Sequence, residues 1–282
     1  MAKMSVIGIC GNSIFMYADH FHEKGETLVA DSVFEEIGGK GINQAVAASR
    51  MGAEVSFLAA IGDDKDGQTC MDVAQKEGIK GCFCVKKGMR TTFAFVLTDK
   101  HGENQVTGYH GAELTVDDVL GFENEIAQSD ILLLQHEVPC EVNEMAVKLA
   151  KKHDVKVILN PAPIRDISDE MAETVFAVTP NKQEKQAIDI KRFRNNITTL
   201  GSEGCLINED TFVPAIKVEA VDTTGAGDTF NGVLAVCLAE RLDMDMACRY
   251  AVIASGISVG RNYVLNAIPY REEIERKMKD DK

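Results

Sequence analysis

Short apolar runs alternate with longer amphipathic stretches along most of the chain. Val55–Ile61 is a β-branched and apolar run ended by Gly62-Asp63-Asp64, and Gln68–Lys76 then takes helical spacing until Gly78. Ile131–Leu134 and Val155–Leu159 have the same strand character, with the mixed charged and apolar helix Glu141–Lys151 between them. The second of these strands closes on Asn160-Pro161-Ala162-Pro163. Ser5–Cys10 opens the chain as a strand, and Phe176–Val178 is a short one stopped before Pro180. Continuous apolar strands separated by helices predict a mostly parallel sheet with helices on both faces, an α/β doubly wound fold. The last third changes character: Thr229–Leu242 and Met244–Val259 are two apolar helices in succession, and Arg271–Lys279 is a charged closing helix.

Two segments break this rhythm. Thr27–Ile37 and Thr91–Tyr109 have the composition of antiparallel strands, the second folding back over Asp99–Asn104. They predict either a small sheet standing off the main one, as a lid or dimer contact, or an edge extension of the main sheet. No repeat, low-complexity tract or Gly/Ser linker divides the chain, so we expect a single domain over 1–282, with a lid formed by about 12–37 and 89–111.

Composition narrows the partners. The formal net charge is −14; such a surface repels phosphate backbones, so nucleic acid is not an expected partner. No apolar run approaches the ~20 residues that span a bilayer. The N-terminus also lacks the basic and long apolar regions of a secretory signal. We therefore expect no membrane partner and a cytoplasmic location. Eight cysteines occur without a C-x-x-C pair, mostly inside apolar runs; they read as free buried thiols in a reducing compartment.

Two motifs carry chemistry. Asp222-Thr223-Thr224-Gly225-Ala226-Gly227-Asp228-Thr229-Phe230 directly precedes an apolar helix. Gly225, Ala226 and Gly227 put small residues at a helix start, where main-chain N–H groups lack intrahelical partners and can face an anion. Asp228 in the first turn is placed to accept a hydroxyl proton beside those donors. Taken as a short G-x-G-D alone, the string also fits a capped helix start in which the aspartates serve only the dipole. The second motif is Ile37-Gly38-Gly39-Lys40-Gly41-Ile42-Asn43-Gln44, followed by small residues. It is not a P-loop, because Phe34 stands where the first glycine belongs and Gly41 follows the lysine. It fits either a polyol pocket with Asn43 bonding hydroxyls or a plain helix-entry loop.

With both motifs in order, the chain resembles the ribokinase-like (PfkB) family of carbohydrate kinases, and within it the ribokinases most. Further matching strings are Gly25-Glu26-Thr27, Gly62-Asp63-Asp64, Gly102-Glu103-Asn104, Glu137-Val138-Pro139, Asn160-Pro161-Ala162-Pro163, Thr179-Pro180-Asn181, Leu200–Gly204 and Pro269–Glu273. Each is short; their shared order carries the resemblance, which covers nearly the whole chain.

The resemblance implies a ribokinase-like fold with a small β-sheet lid and ATP-dependent phosphorylation of a hydroxyl of a small sugar. Asp228 would be the catalytic base and Gly225, Ala226 and Gly227 the anion hole. Gly39, Lys40, Gly41, Asn43 and Glu137 would face the sugar together with Asp228. Asn181, Thr199, Gly201, Ser202 and Gly204 would bind the nucleotide. Asn181 and Glu184 would organise Mg²⁺ through water, or else form a helix cap with an acidic first turn. Asp222 and Thr224 would help hold a monovalent cation, K⁺, and the lid strands would form a homodimer. The alternatives are a nucleoside kinase of the same family and a non-catalytic sugar-binding regulator.

Three departures from the family pattern stand out. Gly11–Met16 puts Ile14 and Met16 where an Asn-x-Asp pattern grips the sugar. Only Lys185–Asn196 separates the Asn-x-x-Glu motif from the next expected strand, Ile197–Leu200, close to the shortest parallel crossover. Gly260–Ala267 lacks the loop that completes a monovalent-cation site, so potassium dependence is expected to be weak.

Overall fold

The computed structural model describes residues 1–101 and 103–280; Gly102, in the expected turn and in one matching string, lies outside the described residues. In chain order the elements are β1 (Lys3–Ile7), β2 (Gly11–Tyr17), β3 (Ser32–Gly38), α1 (Lys40–Arg50), β4 (Glu54–Gly62), α2 (Lys65–Lys76), β5 (Lys80–Lys86), β6 (Phe93–Thr98) and β7 (Asn104–Tyr109). There follow α3 (Val116–Gly121), α4 (Glu123–Ala127), β8 (Ile131–Gln135), α5 (Cys140–Lys152), β9 (Lys156–Asn160), α6 (Asp169–Thr174), β10 (Ala177–Val178) and α7 (Lys182–Ala187). The last part holds β11 (Ile197–Thr199), β12 (Gly204–Ile207), β13 (Thr211–Pro214), α8 (Ala226–Ala239), α9 (Met244–Val259) and α10 (Arg271–Asp280).

The main sheet has six strands in the order β10-β9-β8-β1-β4-β5, every pair parallel. Its central strands are largely apolar because both faces are covered, whereas the edge strand β5 has no fully buried residue. Met4 and Val6 of β1, Phe57 and Ala59 of β4 and Leu133 of β8 enter one core, shared with α1, α8 and α9. Ile7, Leu58, Leu132, Leu134 and Leu159 enter the other, with α3 to α6. Burying each large aliphatic side chain contributes about 1.5–3 kcal/mol. From β1 the chain builds outward through β4 and β5, then returns to β8 on the other side of β1. The gap beyond the carboxyl ends of β1 and β8 is thus the topological switch point, where open α/β sheets bind ligands.

A second sheet of four strands has the order β3-β2-β6-β7, with β2 parallel to β6 and antiparallel to β3. Strand β2 was not anticipated from the pattern. The expected Ser5–Cys10 strand ends at Ile7 because Gly8 meets the entry of α1: a Cβ on Gly8 would lie 2.6 Å from the Gly41 Cα. The chain restarts as β2 at Gly11, and the expected Thr27–Ile37 strand forms only over Ser32–Gly38.

Two other expectations are corrected. Ile197–Leu200 is not a crossover strand of the main sheet. It opens a separate antiparallel sheet, β11-β12-β13, which touches the main sheet through the bridge Val178↔Asn196. The intervening residues supply only the end of α7 and a 3₁₀ turn at Ile190–Arg192, too little for a full crossover helix. Helix α8 begins at Ala226, three residues before the expected start, and stops at Ala239, shortly before Arg241 takes φ +67°. Among the described residues, no helix is long and apolar enough to cross a membrane.

Candidate active site

Two helix N-termini meet at the switch point. Strand β3 delivers the chain to Gly39, whose φ is +110° and whose missing Cβ would lie 2.8 Å from Ile9 Cγ1; glycine alone suits that turn. Helix α1 has no side-chain cap of its own. Instead the Lys40 N–H donates to Glu137 Oε2 at 2.7 Å, so a carboxylate just past β8 satisfies its first turn. Gly41 lies against Gly8, with room for no Cβ (2.7 Å to the Gly8 Cα).

The chain enters α8 through Gly225 at φ +74°. The Ala226 N–H is bonded to Thr223 O at 3.3 Å, whereas among the described residues the N–H groups of Gly227 and Asp228 have no protein acceptor. Gly227 is exposed, and Asp228 is 6% exposed. Both oxygens of Asp228 accept from α1: Oδ2 from Asn43 Nδ2 at 2.9 Å and Oδ1 from Gln44 Nε2 at 3.1 Å. The expected base and the expected sugar residues therefore lie together, joined directly by Asn43.

Charge concentrates here. Asp228, above all, raises the Lys40 ammonium above its ordinary value; burial opposes this, and Glu137 and Glu184 add to it. Burial pushes the Glu137 carboxyl up to about 7, with Asp228 adding and Lys40 opposing. Burial pushes the neighbouring His136 down to about 4, and its Nδ1 lies 3.2 Å from Pro163 O.

A cavity of about 590 Å³ opens on the other side of the α8 N-terminus. The expected nucleotide residues Thr199, Gly201, Ser202 and Gly204 line it, as do Ala226 and Gly227. Most of its wall was not anticipated: Ile216, Val218 and Ala220 from the segment after β13, and Val252 and Val259 from α9. Asn181 is outside that lining, but pairs with Thr199 in a β-bridge. Its side chain accepts from the N–H groups of Gln183 and Glu184, each at 2.8 Å. Glu184 accepts in turn from Asn181 N at 2.8 Å and Nδ2 at 2.9 Å, a complete capping box. Asp222 Oδ1 accepts from the Thr224 N–H at 2.9 Å. The Gly260–Ala267 segment is held by Glu36 of β3, which accepts from the N–H groups of Val264 (2.6 Å) and Leu265 (3.1 Å). Phe34 stacks on Tyr263 beside it, ring centroids 3.6 Å apart.

Residues 1–271 match the model for pfkB family carbohydrate kinases. The chain belongs to this family. The family makes it a carbohydrate kinase, and the two motifs lie where the strand order reverses. The chain is 34% identical over 294 residues to the ribokinase of Haemophilus influenzae, covering 96% of each chain. It is 33% identical over 292 residues to the ribokinase of Bacillus subtilis, covering 98% of this chain and 99% of that one. The solved structure of ribokinase from Thermotoga maritima matches with a TM-score of 0.89 at 34% identity, over 99% of this chain and 100% of that one. Fold and family thus agree with the resemblance read from the motifs.

Proposed function

We propose that the protein transfers the terminal phosphoryl group of ATP to a hydroxyl of ribose, with Asp228 as base. One observation carries this reading: Asp228 is fixed by two amide donors beside the unpaired N–H groups of its own helix turn. The ribokinase relatives at 33–34% identity support ribose as the acceptor. In the reaction the Asp228 carboxylate takes the hydroxyl proton as the sugar oxygen bonds to the terminal phosphorus. The bond from that phosphorus to the ADP oxygen breaks, and its electron pair leaves with ADP. Of the expected anion hole the Ala226 amide is engaged, which leaves the Gly225 and Gly227 amides, with that of Asp228 beside them, to take the phosphoryl oxygens. The positive end of α8 and the Lys40 ammonium stabilise the charge in flight. Glu137 and Asn43 orient the sugar.

The residues present fit a magnesium ion held through water. Each Glu184 oxygen accepts one bond and keeps spare lone pairs, and Mg²⁺ keeps several waters and needs few carboxylates. Bound there, Mg²⁺ would neutralise phosphate charge. Asn181 Oδ1 already accepts two bonds, so its part is to hold Glu184. Val33, Phe95, Val106 and Tyr109 of the second sheet are exposed and support a homodimer through that sheet, which light scattering would report as twice 30.7 kDa.

ADP release measured across pentoses, hexoses and nucleosides with Mg-ATP tests the assignment. D-Ribose should give the highest kcat/KM; a nucleoside turning over best would contradict it.

A further inference from the structure

Behind Asp228 runs a chain of buried carboxamides. Gln44 donates from Nε2 to Asp228 Oδ1 at 3.1 Å and to Asn160 Oδ1 at 3.3 Å. Gln44 Oε1 accepts from Gln135 Nε2 at 2.6 Å. Both glutamines are 0% exposed. The chain ends abruptly: Gln135 Oε1 has no partner, and the Gly8 backbone closes over it, where a Cβ would lie 2.4 Å away.

The direction of this chain is set at one end. A carboxylate only accepts, so Gln44 must turn its NH₂ toward Asp228 and its carbonyl toward Gln135. Gln135 must then present its own NH₂ and leave its carbonyl stranded. Reversing both amides would let Gln135 Oε1 accept from Gln44, but would aim the Gln44 carbonyl at two acceptors, Asp228 Oδ1 and Asn160 Oδ1. An unsatisfied buried acceptor is rare and costly, and each one calls for an explanation. Here that explanation is the orientation imposed on Gln44. Asn43 follows the same rule: its NH₂ goes to Asp228, and its Oδ1 is also unpartnered.

We infer that Gln44 and Gln135 are positioning residues for phosphoryl transfer: Gln135 fixes the Gln44 amide so that its NH₂ holds the Asp228 carboxylate in the orientation that receives the hydroxyl proton. This rests on Asp228 being the base. Gln44 sits on α1 and Gln135 at the end of β8, both in the rigid core, which suits a part that must hold geometry within a fraction of an ångström.

The test is ADP release by Gln44→Met, Gln135→Met and Gln135→Glu, each alone and combined with Asp228→Asn, with rates referred to folded protein by thermal melt. Gln44→Met should lower kcat about 30-fold, with the ribose KM within about twofold. Gln135→Met should lower kcat about 5-fold, since the Gln44 carbonyl then loses its donor and the amide holds Asp228 less firmly. Gln135→Glu should lose more than Gln135→Met although it is the closer isostere, because a carboxylate at 135 demands the NH₂ of Gln44. In the Asp228→Asn background the methionine substitutions should change the residual rate by less than about twofold. A merely structural role would rank Gln135→Glu as the milder change and slow the Asp228→Asn enzyme further; either result overturns the inference. If Asp228→Asn loses activity but Gln44→Met keeps full kcat, the positioning role fails and the base assignment stands. If Asp228→Asn itself turns over normally, both fail. Should Gln135→Glu not fold, the two methionine variants and their cycles with Asp228→Asn decide the matter.

Discussion

The two halves of the site are built differently. On the proposed acceptor side, Asp228, Asn43, Gln44, Gln135 and Asn160 are nearly or wholly buried and tied to one another by side-chain hydrogen bonds on α1, β8, β9 and α8. On the proposed nucleotide side, an open cavity of about 590 Å³ has Ile216, Val218, Ala220, Val252 and Val259 in its wall. Polar, directional contacts suit the end where a proton moves and one hydroxyl must be chosen. Aliphatic walls suit a flat ring that needs only to be held, and they discriminate weakly. The N-terminus of α8 stands between the two.

This contrast can be broken from either side. Asp228→Asn should lower turnover by at least about 10³-fold while leaving sugar binding by calorimetry intact; a drop of under tenfold would remove the base. Glu137→Gln should raise the ribose KM about 10–100-fold and leave the ATP KM unchanged. The same variant should reverse a stability penalty. The Glu137 carboxyl is raised from an ordinary 4.5 to about 7 in the folded chain, so between those pH values the folded state binds more protons than the unfolded one. Its contribution to stability is therefore full below pH 4.5 and lost as pH rises through about 7. Thermal melts should show Glu137→Gln more stable than the parent by about 1–2 kcal/mol at pH 8, with the difference vanishing near pH 4. On the other side, Val218→Ala should raise the ATP KM about threefold and leave the ribose KM alone; equal effects on both would dissolve the division. Replacing sodium by potassium should leave turnover unchanged, because Glu36 holds the Gly260–Ala267 segment through Val264 and Leu265.

Much of this was legible in the chain. Strands such as Ile131–Leu134 announce themselves, since a parallel strand covered on both faces is apolar at every position. The proposed base was legible as a candidate because small residues, an aspartate and an apolar helix stand in one local string. The pattern failed where contacts come from far away. Strand β2 is cut from β1 by the approach of Gly8 to Gly41, and the strands of β11-β12-β13 are only three or four residues long, too short for a periodic pattern to show. Asn181 and Glu184 were legible as a pair, and their capping box is the bonding that the spacing permits. Gln44 and Gln135 were not, because a single carboxamide acquires its role only when a partner 91 residues away is brought to it.

The most direct test of the account is a crystal structure with ribose and a non-hydrolysable ATP analogue. It should place one ribose hydroxyl within hydrogen-bond reach of Asp228, the terminal phosphate on the Gly227 and Asp228 amides, and the base among Ile216, Val218 and Val252. Phosphates bound away from the α8 N-terminus, or an acceptor with no hydroxyl near Asp228, would contradict it.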